Sequence, residues 1–175
     1  MDKRVQRWVG EVETLAEEML PWLEEAYPAE GCGLVVSDGS GAEFWRCDNV
    51  IDRYHALDPE TYPRDSSDFY MIDPRRFMEA EDRGKEVSII VHSHPDTGDY
   101  FSDADVDAAL MPEEDGQERE PIYPSTAYLV VSVKEGEAAA ASLFVHQPES
   151  GGFSAAASWG VDASGQLEQL GTDGR

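Results

Sequence analysis

His92-Ser93-His94 closes an apolar run, Val87–Val91, and Ser102-Asp103-Ala104-Asp105 follows after a short loop containing Gly98. Alternate side chains of a strand share a face, so the two imidazoles point the same way and can hold one metal ion. Asp105, in the first turn of a helix opened by Ser102, is close enough to add a carboxylate oxygen. Three protein ligands with a fourth position open is the arrangement of a catalytic zinc rather than a structural one. The same residues have a purely structural reading. His-x-His at a strand end is often a polar pair in a turn, Ser102 is a good helix N-cap, and Asp105 three residues on is a capping-box acid.

The order His92-Ser93-His94, seven residues, then Ser102-x-x-Asp105 resembles the motif of the JAMM (MPN-plus, JAB domain) zinc metalloproteases. Upstream, Pro28-Ala29-Glu30-Gly31-Cys32-Gly33-Leu34 resembles the Pro-x-Glu-x-Cys-Gly-Leu stretch of the same family. The likeness runs from about Leu15 to about Val145 and favours the bacterial single-domain type. It implies an α/β fold, a three-layer α/β/α sandwich with a mixed sheet similar to cytidine deaminase. It also implies one Zn2+ per chain on His92, His94 and Asp105, with Glu30 moving protons and Ser102 donating to the oxyanion. The implied activity is hydrolysis of an amide or isopeptide bond, with a protein or peptide substrate such as the C-terminus of a ubiquitin-like or sulfur-carrier protein. Non-catalytic MPN scaffolds are the alternative, but those typically lack one or more of the five residues present here. A zinc deaminase would need a Pro-Cys-x-x-Cys motif, which this sequence does not contain.

The chain has 175 residues, enough for one domain with a substantial core, expected over 1–160 with a loose tail over 161–175. There is no signal-like apolar run at the start and no segment near the ~18 apolar residues of a membrane span, so a soluble cytoplasmic protein is expected. Cys32 and Cys47 are too few for a disulfide framework. The net charge is −24, with 37 acids against 13 Lys and Arg, which disfavours nucleic acid and anionic membranes as partners. The acids are spread along the chain, as in a solubility adaptation.

These chemical groups need a scaffold. Val12, Leu15, Ala16, Met19, Leu23 and Ala26 form a helical stripe that Pro21 should kink or divide. A strand Cys32–Val36 and a second, Glu43–Val50, read as a hairpin across Asp38-Gly39-Ser40-Gly41. Residues 51–67 read as a long loop and Ser67–Asp73 as a short strand. Asp73-Pro74 should start a helix that stops at Gly84. Ile89, Ile90 and Val91 suit a central strand buried on both faces. After the helix that follows Ser102, residues 112–124 read as an acidic, proline-bounded loop. Strands are then expected at Thr126–Val133, Ala138–His146 and, on the sheet edge, Phe153–Trp159, with His146 on the surface.

Overall fold

The computed structural model describes residues 2–171. The apolar stripe belongs to one continuous helix, α1 (Lys3–Ala26), whose first turn is capped by Asp2 accepting from the Arg4 N–H. Pro21 lies inside this helix without dividing it, so of the two expected outcomes, a kink or a division, the division does not occur. A mid-helix proline costs about 3 kcal/mol, whereas each buried Leu, Val or Met returns roughly 1.5–3 kcal/mol. Trp8, Val12, Leu15, Met19, Leu20 and Leu23 are all buried along α1, so docking outweighs the defect. Glu17, whose carbonyl loses its partner to Pro21, is exposed and open to water.

A hairpin follows, β1 (Cys32–Asp38) and β2 (Gly41–Cys47), then α2 (Ile51–Leu57) and α3 (Pro74–Asp82). The chain continues through β3 (Glu86–Pro95), α4 (Asp103–Ala109), β4 (Ala127–Lys134), β5 (Glu137–Gln147), β6 (Gly152–Val161) and β7 (Leu167–Gln169). The seven strands lie in the order β2-β1-β3-β4-β5-β6-β7. β3 and β4 run parallel and the other neighbours antiparallel, giving the mixed sheet expected of an α/β domain. A parallel pair needs a long crossover, and α4 lies within this one.

Apolar clusters form on both faces of the sheet. On one, α1 packs against Val35, Ile89, Val91, Leu129, Val131 and Leu143. On the other, Cys32, Leu34, Ile90 and Tyr128 meet Ala80 of α3 and Ala109 of α4. Because side chains alternate along β3, Ile89 and Val91 face α1 while Ile90 faces the opposite side. Continuing that alternation puts His92 and His94 on the side of α3 and α4.

Three stretches differ from the sequence reading. The first seven residues of the expected loop 51–67 are helical: α2 is anchored by buried Ile51 but has no side-chain cap, so it lacked the usual start signal. The expected strand at Ser67–Asp73 reduces to a single bridge between Asn49 and Ile72. β6 is not the sheet edge, since β7 pairs with it through residues expected to form a loose tail; residues 172–175 of that tail lie outside the described residues. No described helix is long and apolar enough to cross a membrane.

Candidate metal centre

The antiparallel ladder between β1 and β3 sets Cys32 opposite His92 and Gly33 opposite Val91. Just beyond it, the Ser93 N–H donates to the Gly31 carbonyl at 3.0 Å and the Gly31 N–H donates to Ser93 Oγ at 2.8 Å. One residue before Gly31, ahead of β1, Glu30 comes beside His94, with Glu30 Oε1 3.9 Å from His94 Nε2. Two glycines let this stretch lie close against α1 and β2. A Cβ on Gly31 would lie 2.9 Å from Ala26 Cβ, and one on Gly33 would lie 2.4 Å from the Phe44 ring and 2.8 Å from the Trp45 carbonyl.

The backbone on either side of Glu30 is tied down. Its N–H donates to the Ser66 carbonyl at 2.7 Å, and Asn49 Nδ2 donates to the Glu30 carbonyl at 2.9 Å and to that of Phe69 at 3.0 Å. Asn49 Oδ1 accepts from the Met71 N–H. Sequence reasoning missed Asn49; its only signal was a short polar side chain next to Val50-Ile51 between a strand and what read as a loop.

The donor atoms of His92, His94 and Asp105 lie within 4.8 Å of one another, and all three residues are buried. His92 Nε2 is 3.1 Å from His94 Nε2 and 3.2 Å from Asp105 Oδ1, while Asp105 Oδ2 is 3.3 Å from His94 Nε2. His94 Nδ1 sits 3.0 Å from the Gly98 carbonyl. A carbonyl only accepts, so this contact places the proton on Nδ1 and leaves the Nε2 lone pair directed at the cluster. His92 Nδ1 is buried without a partner, and its ring stacks on Tyr70 with centroids 4.3 Å apart. Tyr70, a second residue the sequence did not flag, limits rotation of the His92 ring.

The electrostatics divide the acids into two kinds. Burial would raise the Asp105 pKa, but the close contacts with the His92 and His94 rings and the Ser102 hydroxyl outweigh it and hold the carboxyl well below its usual range. Burial pushes Glu30 up to about 8, with the attraction of His94 offsetting only part of that. Glu30 Oε2 is buried with no hydrogen-bond partner. Burial likewise lowers His92, whereas His94 is raised because Asp105 and Glu30 more than offset its desolvation. Two imidazole nitrogens and an ionised carboxylate, one ring fixed in the required tautomer, form a donor set suited to zinc. Burial pushes the Cys32 thiol up, so it offers no thiolate to a metal.

Ser102 fills the expected N-cap. Its Oγ accepts from the Asp105 N–H at 3.1 Å and donates to Asp105 Oδ2 at 2.7 Å, while the Ser102 N–H donates to the same oxygen at 2.9 Å. This reciprocal box both starts α4 and orients the Asp105 carboxylate. His146 takes no part in the cluster. It is half-buried rather than on the surface, packs its ring against Phe153 at 5.3 Å, and has a buried Nε2 without a partner.

The sequence profile of the Prok-JAB family, prokaryotic homologs of the JAB domain, matches residues 12–144. A solution structure of a protein from Salinibacter ruber superposes with a TM-score of 0.52 at 22% identity, covering 81% of this chain and 84% of that one. A solution structure of a Desulfitobacterium hafniense protein gives 0.47 at 20% identity, covering 90% and 86%. The Salinibacter likeness bears on the fold alone. No curated protein matches the sequence. A profile that spans both the Glu30 stretch and the His92–Asp105 stretch places the chain plainly: it belongs to the family of prokaryotic JAB-domain homologs.

Proposed function

We propose that this domain is a zinc-dependent peptidase of the JAMM type, acting on an amide or isopeptide bond at the C-terminus of a ubiquitin-like or sulfur-carrier protein. One observation carries the reading. A buried carboxylate with an unpartnered oxygen, Glu30, stands beside three converged metal-ligating side chains. A scaffold has no use for an acid desolvated in this way, since burying it lowers stability. The reading extends the α/β fold to the three-layer, cytidine-deaminase-like arrangement of JAMM enzymes.

His92, His94 and Asp105 would hold the ion, which when bound supplies Lewis acidity and acidifies water near neutral pH. Glu30 takes up a proton at Oε2 and passes it to the leaving nitrogen. A pKa of about 8 suits both transfers near neutrality. Ser102 Oγ, on releasing Asp105 Oδ2, donates to the developing oxyanion. Tyr70 and the Gly98 carbonyl keep the two imidazoles oriented.

The test is to reconstitute the protein with zinc, measure metal by elemental analysis, and offer a small ubiquitin-fold protein whose Gly-Gly end is extended by a peptide. The expected result is about one zinc per chain and cleavage after the second glycine, lost in Glu30→Gln with the metal retained. A folded protein that takes up no zinc on reconstitution overturns the enzyme reading in favour of a non-catalytic interaction domain.

A further inference from the structure

The chain has two cysteines, and the fold sets them against each other. Cys32 opens β1 and Cys47 closes β2, fifteen residues apart, and the antiparallel register pairs them directly. Their side chains share one face of the sheet, in the apolar cluster that also holds Leu34, Trp45 and Ala80. Both thiols are free. The Cys32 thiol already leans across the ladder, with Sγ donating to the Cys47 carbonyl at 3.6 Å, while the Cys47 thiol donates to the Trp45 carbonyl at 3.5 Å. Directly opposed residues have Cα atoms about 4.5–5.5 Å apart, inside the range of about 4.4–6.8 Å that a disulfide spans. Cross-strand Cβ atoms sit about 4.5–5.5 Å apart, slightly more than the roughly 3.5–4.5 Å of a relaxed disulfide. β2 is an edge strand, held on one side only, and can close that gap.

The two thiols are not equivalent. Cys32 is fully buried, and burial pushes its thiol far up. Cys47 is 3% exposed and lines a cavity of about 370 Å3 where the end of β2 meets the starts of α2 and α3, together with Arg53, Asp73 and Arg76. Burial raises the Cys47 thiol as well, but the Arg76 guanidinium favours its thiolate and offsets part of that rise. The thiolate is the form that attacks an oxidant. Cys47 is therefore the sulfur that a small peroxide meets first, and Cys32 stands opposite as the resolving thiol.

We propose that Cys32 and Cys47 are a peroxide-reactive pair that closes a reversible disulfide between β1 and β2. Cys47 Sγ attacks one oxygen of a hydroperoxide. The O–O bond breaks, the departing oxygen leaves as water or alcohol with the thiol's proton, and Cys47 becomes a sulfenic acid. Cys32 Sγ then attacks that sulfur. The S–S bond forms, the S–O bond breaks, and the hydroxyl leaves as water with the Cys32 proton. The two sulfurs together lose two electrons, which the peroxide has gained. A dithiol restores both thiols by exchange and is itself oxidised to a disulfide. Strain from drawing the strands together makes the bond easy to reduce, as suits a labile link rather than a structural one. Cys32 lies two residues after Glu30, and Cys47 two before Asn49, whose side chain holds the Glu30 carbonyl. The link thus joins the two segments that position Glu30. An effect on turnover rests on the proposed function; the bond itself does not.

The experiment treats the folded full chain with hydrogen peroxide, removes the peroxide, denatures the protein with iodoacetamide present and reads the intact mass without reductant. The expected product is a single chain with no alkyl group, in which the peptides containing Cys32 and Cys47 are joined, and both thiols return after dithiothreitol. Cys32→Ala should leave Cys47 as a sulfenic acid that takes up one dimedone, whereas Cys47→Ala should take up about ten-fold less. Should either variant fail to fold, a brief exposure of wild type to limiting peroxide with dimedone reads the same order, with the adduct expected on Cys47. Two alkylated thiols after peroxide treatment of the folded chain, linkage only in chain first unfolded in urea, a link between two chains, or dimedone on Cys32 would each overturn the proposal. These readouts need neither zinc nor substrate, so the pair and the peptidase reading fail separately.

Discussion

Replacing Glu30 by Gln tests the electrostatics of the site without any substrate. Burial raises this carboxyl from its ordinary 4.5 to about 8. Below pH 4.5 it is protonated in both the folded and unfolded chain and makes no difference to stability. Between 4.5 and 8 the unfolded chain ionises while the folded one keeps its proton, so stability falls as pH rises, by about 1.4 kcal/mol per pH unit. The loss amounts to about 3 kcal/mol at pH 7 and levels off near 5 kcal/mol above pH 8. Gln has the shape of the neutral acid and cannot ionise, so it removes this dependence while leaving the other titrating groups in place. The expected outcome for chelator-treated protein is that wild type and Glu30→Gln are about equally stable near pH 4.5, and that the variant is progressively more stable up to pH 8. Urea unfolding of both proteins at half-unit pH intervals measures the difference directly, with the slope m expected to be unchanged. Parallel stability profiles across that range would show that the carboxyl is solvated, and would remove the physical basis for assigning it the proton transfer.

Zinc should raise the melting temperature of wild type through preferential binding to the folded state, and His92→Ala should abolish that rise together with metal content by elemental analysis. Ser102→Ala removes the Oγ that accepts from the Asp105 N–H, so a loss of about 0.5–2 kcal/mol in denaturant unfolding is expected. If Ser102 also serves the oxyanion, single-turnover rates on the same preparation should fall by roughly 10² to 10³, and an unchanged rate would confine it to the cap. Gly33→Ala places a methyl against the Phe44 ring and the Trp45 carbonyl, and should lower stability by about 1–3 kcal/mol in thermal or urea unfolding, without a positive φ being involved.

The strands that carry the ligands were legible in the sequence because their signals are local. Ile89-Ile90-Val91 announces a strand buried on both faces, and His92 and His94 share a face by simple alternation. Ser102 and Asp105 announce a helix start in the same way, so the three-donor cluster could be read from one short stretch. Glu30 could not be joined to it by local reasoning. Its place depends on the antiparallel register that sets Cys32 opposite His92, which no spacing encodes; only the family resemblance linked the two stretches. The residues that steady the site escaped for a related reason. Asn49 and Tyr70 act through contacts with segments distant in sequence, Glu30 and His92, and neither sits in a periodic pattern. α2 was hidden because it relies on one buried anchor, Ile51, rather than on an apolar stripe. Pro21 left a kink and a division both open, and packing along the whole of α1 is what decides against the division.

The site is also divided by chain distance. His92 to Asp105 spans fourteen residues, whereas Glu30 and His94 are separated along about sixty-five. By loop-closure entropy, bringing Glu30 to His94 costs about 1.3 kcal/mol more than bringing Asp105 to His92. The three converged donors therefore belong to one nearly self-contained unit of strand and helix, while Glu30 joins them only when the segment leading into the β1–β2 hairpin docks. On the proposed function, substitutions around Glu30 would silence the chemistry and leave metal capture untouched, so within one fold the two properties would be free to be inherited separately.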